Sequence, residues 1–263
     1  ALTVHEHVIA LRGPASRWVA IQLVIAAVFP RGTRGRERGL DRLLSGVLHT
    51  QSVTAFPDHS AVFRRRALEE LQQAGSTLRG SPNHVAALAD TLDQLAALSP
   101  EPSDAKREIY REAHRQYARA VAAMPAADPL ARRYRLREAT SWLASGDPQA
   151  RRGADERLAA GGLRLGQPSS PEELYDAACC HALAMEADAD GGHRDVAVHA
   201  LVRALAEDRR SDDRALWRHA IEDPQLNALP VADIQKTIEA ELGQNAHPHR
   251  IDDVVAAAMR KLA

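Results

Sequence analysis

Apolar residues recur at every third and fourth position along most of this 263-residue chain, and the alternation expected of strands is almost absent. One series near the C-terminus consists of Ile251, Val254, Val255, Ala258, Met259 and Leu262. An earlier series consists of Val85, Leu88, Leu92 and Leu95. Each series forms one apolar stripe on a helix, which is buried when neighbouring elements cover it. The pattern therefore predicts an all-α fold.

Capping residues and helix breakers divide the chain into successive helices. Asp128, Asp147 and Ser170 each precede a proline, which places a side-chain cap before the first helical position. Glu173 follows Ser170 at the spacing of a capping box. Short links between helices favour antiparallel hairpins. The predicted helices span 3–12, 15–29, 37–49, 59–75, 83–98, 104–124, 129–145, 148–161, 171–187, 193–209, 212–222, 231–243 and 249–262.

Composition narrows the class of protein further. Alanine supplies much of the 45% hydrophobic fraction, and it favours helices that pack closely. A net charge of -1 gives no overall attraction to nucleic acid or anionic membrane. Two cysteines are too few for a disulfide framework, so a reducing cytoplasm is expected. The apolar run at 18–29 is shorter than the roughly 20 residues of a membrane-spanning helix, and it predicts a buried central helix.

Two neighbouring hairpins, at 134–161 and 174–208, share a pattern, and the second resembles the tetratricopeptide repeat. Ala178 fits the small residue of the repeat's first helix. Ala197, Leu201 and Ala204 fit the small–large–small series of its second helix. In that family, helix pairs stack into a superhelix. The resemblance therefore implies antiparallel helix hairpins stacked as an α-solenoid.

The resemblance is best over 174–229, where LWRHAIEDPQLNAL at 216–229 is similar to the ending that often follows the last repeat. An insertion at 185–191 departs from the family's tight turn. The family implies binding of a peptide or protein partner in a groove, without catalysis. A boundary at PEPSD, 100–104, is expected to separate a helical N-terminal region, 1–100, whose kinship the sequence leaves open, from a tetratricopeptide-like region, 101–263.

The adjacent cysteines are predicted to belong to the core. Consecutive side chains on a helix point about 100° apart, whereas helical ligand pairs are three or four positions apart. Cys179, Cys180 and His181 therefore cannot converge on one ion, and free cysteine packs as a small apolar residue. The acidic insertion at 185–191 lacks the later bidentate glutamate of a calcium loop. No metal and no cofactor are expected.

Arginine clusters are the candidate binding residues. The candidate partner contacts are Arg132, Arg133, Arg135, Arg137, Arg151, Arg152, His199 and Arg203. Arg31, Arg34 and Arg36 form a candidate anion site, because the glycines of RGTRGRER let the backbone approach an anion. This segment lacks the Gly-Lys-Ser/Thr ending of a phosphate loop, which argues against nucleotide hydrolysis. The alternative is that the arginines form solvated helix faces balanced by nearby glutamates.

These features predict a protein-interaction scaffold or regulatory module that binds a peptide or protein partner. Basic residues are nearly all arginine, which is typical of a GC-rich genome. We expect the module to be bacterial and part of a larger signalling or regulatory system. Two alternatives stay open because no catalytic constellation is recognisable. One is an enzyme with its site in 1–100. The other is a nucleic-acid-binding regulator that uses the arginine faces, which the net charge disfavours.

Overall fold

The computed structural model describes residues 35–78, 81–100, 103–125, 128–150, 170–187, 192–208, 215–242 and 251–262. The chain divides into two compact units, Ala1–Ala123 and Met124–Ala263. Within the described ranges every regular element is a helix and no strand occurs, which confirms the all-α prediction. None of the helices in these ranges has the length and apolar character needed to cross a membrane. The predicted helices at 3–12 and 15–29 lie outside them.

The described part of the first unit consists of α1 (Gly35–Ala55), α2 (Ser60–Thr77), α3 (Pro82–Ala97) and α4 (Asp104–Ala122). Helix α1 packs against α2, and α3 packs against α4, while α1 and α2 both contact α3. Helix α1 continues beyond its predicted end at residue 49. The hydroxyls of Thr50 and Ser52 donate to the carbonyls of Gly46 and Leu48, so these polar residues are accommodated within the helix.

The predicted apolar stripe of α3 forms the centre of the first unit. Leu88, Leu92 and Leu95 are fully buried, and Val85 is nearly so, which confirms that stripe. The Tyr117 hydroxyl of α4 donates to Asp90 of α3 over 2.5 Å. Helix α4 follows the boundary predicted at 100–104, yet it packs within the first unit. The division into regions 1–100 and 101–263 stays a prediction.

Gly46 lies where α1 crosses α2 closely. A β-carbon there would lie 2.5 Å from Leu71 Cδ2 and 2.6 Å from its Cγ. We expect Gly46→Ala to lower the free energy of unfolding by about 1 kcal/mol, because the overpacking exceeds the gain in helix propensity. Urea unfolding followed by circular dichroism measures this. Gly75→Ala is the matched control, since its β-carbon would meet the end of the Gln116 side chain at 3.3 Å. Equal losses in both variants would contradict the prediction.

The main helices in the described part of the second unit are α5 (Pro129–Ala144), α6 (Pro171–Ala187), α7 (His193–Asp208), α8 (Ala215–Glu222), α9 (Val231–Leu242) and α10 (Ile251–Leu262), and Pro224–Leu226 forms a short 3-10 helix. Residues 148–150 are helical, and the rest of the helix predicted at 148–161 lies outside the described residues. Helix α6 packs against α5 on one side and forms a hairpin with α7. Helix α7 also contacts α8, α9 and α10. These boundaries follow the predicted ones closely.

Small residues line the contact between α6 and α7. Ala178 on α6 is fully buried, and so are Ala197, Leu201 and Ala204 on α7. These are the four positions that the tetratricopeptide resemblance selects. Because alanine side chains occupy little space, the two helices can approach closely with the larger Leu201 between the alanines of α7. The pair therefore forms the centre of the second unit's core.

The predicted caps are confirmed, with one difference. Asp128 and Asp147 accept hydrogen bonds from the backbone amides two residues later, at 2.9 and 2.8 Å. Ser170 Oγ accepts from the Glu173 amide at 3.2 Å. The Glu173 carboxylate, however, binds an arginine on α5. Its neighbour Glu172 bonds to Ser170, and this hydrogen bond lowers the pKa of the Glu172 carboxyl.

Asp208 and Trp217 hold α8 against the end of α7. Asp208 is the last residue of α7, and its Oδ2 accepts hydrogen bonds from the backbone amides of Leu216 and Trp217 at 3.0 and 3.3 Å. The indole of Trp217 donates to the Leu205 carbonyl at 2.7 Å. The carboxylate therefore supplies acceptors for the amides at the start of α8.

Candidate functional site

Arg132 on α5 forms a bidentate pair with Glu173 on α6. Its Nε and Nη2 donate to the two carboxylate oxygens, the Nη2 bond being 2.7 Å. The whole Glu173 residue is only 6% exposed. Parallel donation from a planar guanidinium to both oxygens is the strongest form of this ion pair. Arg132 therefore ties α5 to α6.

Arg133 and Arg137 share a second carboxylate of α6. Arg133 Nε donates to Asp176 Oδ2 at 2.7 Å, and Arg137 Nε lies 3.1 Å from both oxygens. Asp176 is 6% exposed, so one buried negative charge faces two cations. Arg135 lies half-buried on the same helix. These contacts give Arg132, Arg133 and Arg137 a role in packing α5 against α6, and their role in partner binding stays a prediction.

Both cysteines are buried, as their core packing requires. Cys179 Sγ lies 3.7 Å from Asp223 Oδ2. Burial raises the pKa of the Cys180 thiol to about 12. It also raises the pKa of Cys179 well above the ordinary value, and the Asp223 carboxylate adds to that effect. Because the thiolate is the nucleophile, neither cysteine is activated for attack.

We expect Cys179 and Cys180 of the native chain to react with a disulfide reagent such as DTNB at least about a hundredfold more slowly at pH 8 than in urea. Their raised pKa leaves almost no thiolate at that pH, and burial blocks the reagent. Absorbance of the released thiolate measures the rate, and the urea-unfolded chain serves as the control, with two rapidly reacting thiols. Rapid modification in the absence of urea would contradict the burial of these two thiols.

The Asp223 carboxylate, which follows α8 in the chain, is contacted by groups from α6, from α8 and from the turn after α8. Its Oδ2 accepts from the Tyr175 hydroxyl at 2.7 Å and lies 3.5 Å from His219 Nε2, while Oδ1 accepts from the Gln225 amide at 2.9 Å. Burial, then the charges of Cys179 and Asp223, raise the pKa of Tyr175. Although a thiol, an imidazole and a carboxylate meet here, the raised thiol pKa opposes a nucleophilic role. The arrangement anchors the turn at Pro224–Leu226 to α6.

Two histidines meet across the α6–α7 hairpin. His181 Nδ1 lies 3.0 Å from His193 Nδ1, and the ring centroids are 5.2 Å apart. His193 is buried, whereas His181 is half-buried. Sequence reasoning missed this pair because its members are twelve residues apart on different helices, outside the ligand spacings of one helix. The hairpin predicted at 174–208 was the sequence signal that could have placed the two histidines near each other.

A groove lies between α7 and α10. Val198, Met259 and Leu262 form its apolar part, and Arg194, Asp195 and Arg260 are the charged residues that line it. Its volume is about 320 Å³. Arg194 Nη2 donates to the Leu262 carbonyl at 3.1 Å, which ties the two helices together at the groove. The groove therefore combines an apolar surface with charges of both signs.

The remaining candidate residues are on α7, on α1 or outside the described part of the chain. Elsewhere on α7, His199 is half-buried, and Arg203 forms an ion pair with Glu207 at 3.7 Å. The backbone of Arg36 belongs to α1, but its side chain lies outside the described part of the chain. Arg31, Arg34, Arg151 and Arg152 also lie outside it. The structure therefore brings Arg132, Arg133 and Arg137 together around the carboxylates of α6, and the anion site at 31–36 stays a prediction.

Among the described residues, no group of three or more histidine, cysteine, aspartate or glutamate side chains is placed to hold a metal ion. Comparison with protein-family models, curated proteins and solved structures gives no match to this chain. The contacts described above therefore carry the functional proposal.

Proposed function

We propose that the second unit is a protein-interaction module that binds a short segment of a partner protein in the groove between α7 and α10. The observation that carries this proposal is the pairing of Val198, Met259 and Leu262 with Arg194 and Arg260 in one cavity. A groove lined by both apolar and charged residues matches a common mode of peptide recognition, in which apolar anchors give affinity and charges give orientation.

The volume of the groove fits one or two side chains of a partner protein better than a large small-molecule ligand. Its volume of about 320 Å³ lies at the low end of the roughly 300–1,000 Å³ typical of small-molecule sites. One or two aliphatic side chains of a partner segment would fill it. Arg194 and Arg260 supply two positive charges against the single carboxylate of Asp195. The preferred segment is therefore aliphatic with flanking acidic residues.

The same proposal includes a tetratricopeptide-like arrangement of α5, α6 and α7 in a bacterial, cytoplasmic regulatory protein. Burial of Ala178, Ala197 and Ala204 supports it, because the family places small residues where its helices approach most closely. The Asp223-Pro224 turn after α8 also supports it, since the resemblance includes such an ending. In this arrangement, successive hairpins would present side chains to the partner at fixed spacing.

A random dodecapeptide library displayed on phage tests the proposal with the full chain as the target. We expect enrichment of peptides that carry aliphatic and acidic residues. Fluorescence anisotropy of the selected peptide should show at least about tenfold weaker binding to Arg260→Glu, because the substitution reverses one attractive charge. Lys236→Glu is the matched control, since Lys236 is an exposed cation on α9 and does not line the groove. No enrichment, or equal losses in both variants, would overturn the groove proposal.

The predicted arginine face is tested in the same assay by Arg135→Glu. Arg132 and Arg133 are unsuitable for charge reversal, because a glutamate at either position would face the buried carboxylate of Glu173 or Asp176. Weaker binding by Arg135→Glu would support the arginine face of α5 as a partner contact. Unchanged binding would show that the selected peptide does not contact Arg135.

A further inference from the structure

We propose that His181 and His193 form a binding site for a late first-row divalent cation such as Zn²⁺, held between α6 and α7. This site is separate from the groove between α7 and α10, and it does not depend on partner binding. Imidazole nitrogen suits Zn²⁺, Cu²⁺ and Ni²⁺, and neutral histidine is among the commonest metal ligands in proteins. Each histidine would supply its Nδ1 atom to the ion.

The separation of the two nitrogens fits shared coordination. Two nitrogens each about 2.05 Å from one zinc ion lie about 2.9 Å apart at a right angle and about 3.3 Å apart at the tetrahedral angle. The Nδ1 atoms of His181 and His193 are 3.0 Å apart, between these two values. The same distance suits an N–H···N hydrogen bond when no metal is bound. A cation bound to both nitrogens would lie about 1.4 Å from the line that joins them, so both rings would turn to direct their Nδ1 lone pairs at the ion.

The placement of the pair suits a site that is held in position yet reached by solvent. His193 is the first residue of α7 and is 7% exposed, so packing fixes its position. His181 lies in the second half of α6 and is half-buried, which gives an ion access from that side. Since the described part of the chain offers two protein ligands here, water completes the coordination shell. Binding would join the two helices of the hairpin and stabilise it.

The test is isothermal titration of the full chain with ZnCl₂ at pH 7.5 in a buffer that does not chelate zinc. We expect one saturable site per chain. His181→Ala and His193→Ala should each weaken zinc binding by at least about tenfold, because each removes one of two ligands. His219→Ala is the matched control, since His219 is a histidine of the same unit with a side chain 64% exposed. It should bind zinc as the unaltered chain does.

A second measurement keeps the proposal testable if a histidine variant fails to fold. In ¹⁵N NMR spectra of the unaltered chain, Zn²⁺ should shift the Nδ1 resonances of His181 and His193 together, with one equivalent sufficient. Zinc binding that persists in both alanine variants would overturn the proposal. So would the absence of saturable binding, or shifts at other histidines while these two stay unchanged.

Discussion

Replacing Asp176 with alanine is expected to lower the free energy of unfolding of the second unit by about 3 kcal/mol. The substitution leaves two guanidinium groups, on Arg133 and Arg137, facing a site from which their shared negative charge has gone. Their side chains are 31% and 28% exposed, so water can replace the lost carboxylate only in part. Loss of one partner from a buried ion pair costs far more than loss of a surface pair.

Urea unfolding followed by tryptophan fluorescence measures the effect, because Trp217 is buried in the second unit. Glu239→Ala is the matched control, since Glu239 is an exposed carboxylate on α9. It should change the free energy of unfolding by no more than about 0.5 kcal/mol. A loss below about 1 kcal/mol for Asp176→Ala would show that the α5–α6 ion pairs contribute little, and would leave these arginines available for the partner role.

The second large effect is expected from overpacking the α6–α7 hairpin. Ala178→Leu should lower the free energy of unfolding by about 3 kcal/mol, because a fully buried alanine between closely packed helices has no room for three more carbon atoms. The midpoint of thermal unfolding should fall by roughly 5–10 °C. Far-ultraviolet circular dichroism measures this midpoint.

Ala232→Leu tests whether the added leucine is harmful wherever it is placed. Ala232 is exposed on α9, and leucine and alanine have similar helix propensities, so the unfolding midpoint should change little. If Ala178→Leu were as stable as Ala232→Leu, the helices would be separating to accept the larger side chain. The core of the second unit would then not depend on close contact between small residues of α6 and α7.

Helix positions were predictable because periodicity and caps are local signals. Val85, Leu88, Leu92 and Leu95 are buried as their spacing predicts. The end of α1 was predicted at residue 49 but lies at Ala55, beyond Thr50, Ser52 and Thr54, which have low intrinsic helix propensity. In the folded chain the hydroxyls of Thr50 and Ser52 bond to carbonyls four residues back, and Val53 in the same stretch is buried. Packing of α1 against α2 therefore outweighs the low helix propensity of this stretch.

Side-chain partners were much less predictable, because they depend on how helices far apart in sequence face one another. Arg132, Arg133 and Arg137 were recognisable as a cluster, but their spacing does not indicate that Glu173 and Asp176 on α6 bind them. The histidine pair was missed for the same reason. The burial of Cys179 and Cys180 was predictable, because the geometry of one helix was enough to exclude a shared ion.

The link between Asp208 and the start of α8 has a consequence for engineering. Because Asp208 Oδ2 and the Leu205 carbonyl fix the positions of Leu216 and Trp217, these two residues anchor α8 to the end of α7. Removing the Asp208 carboxylate would leave the backbone amides of Leu216 and Trp217 without that acceptor. Any redesign of α7 or α8 should therefore keep an aspartate at position 208.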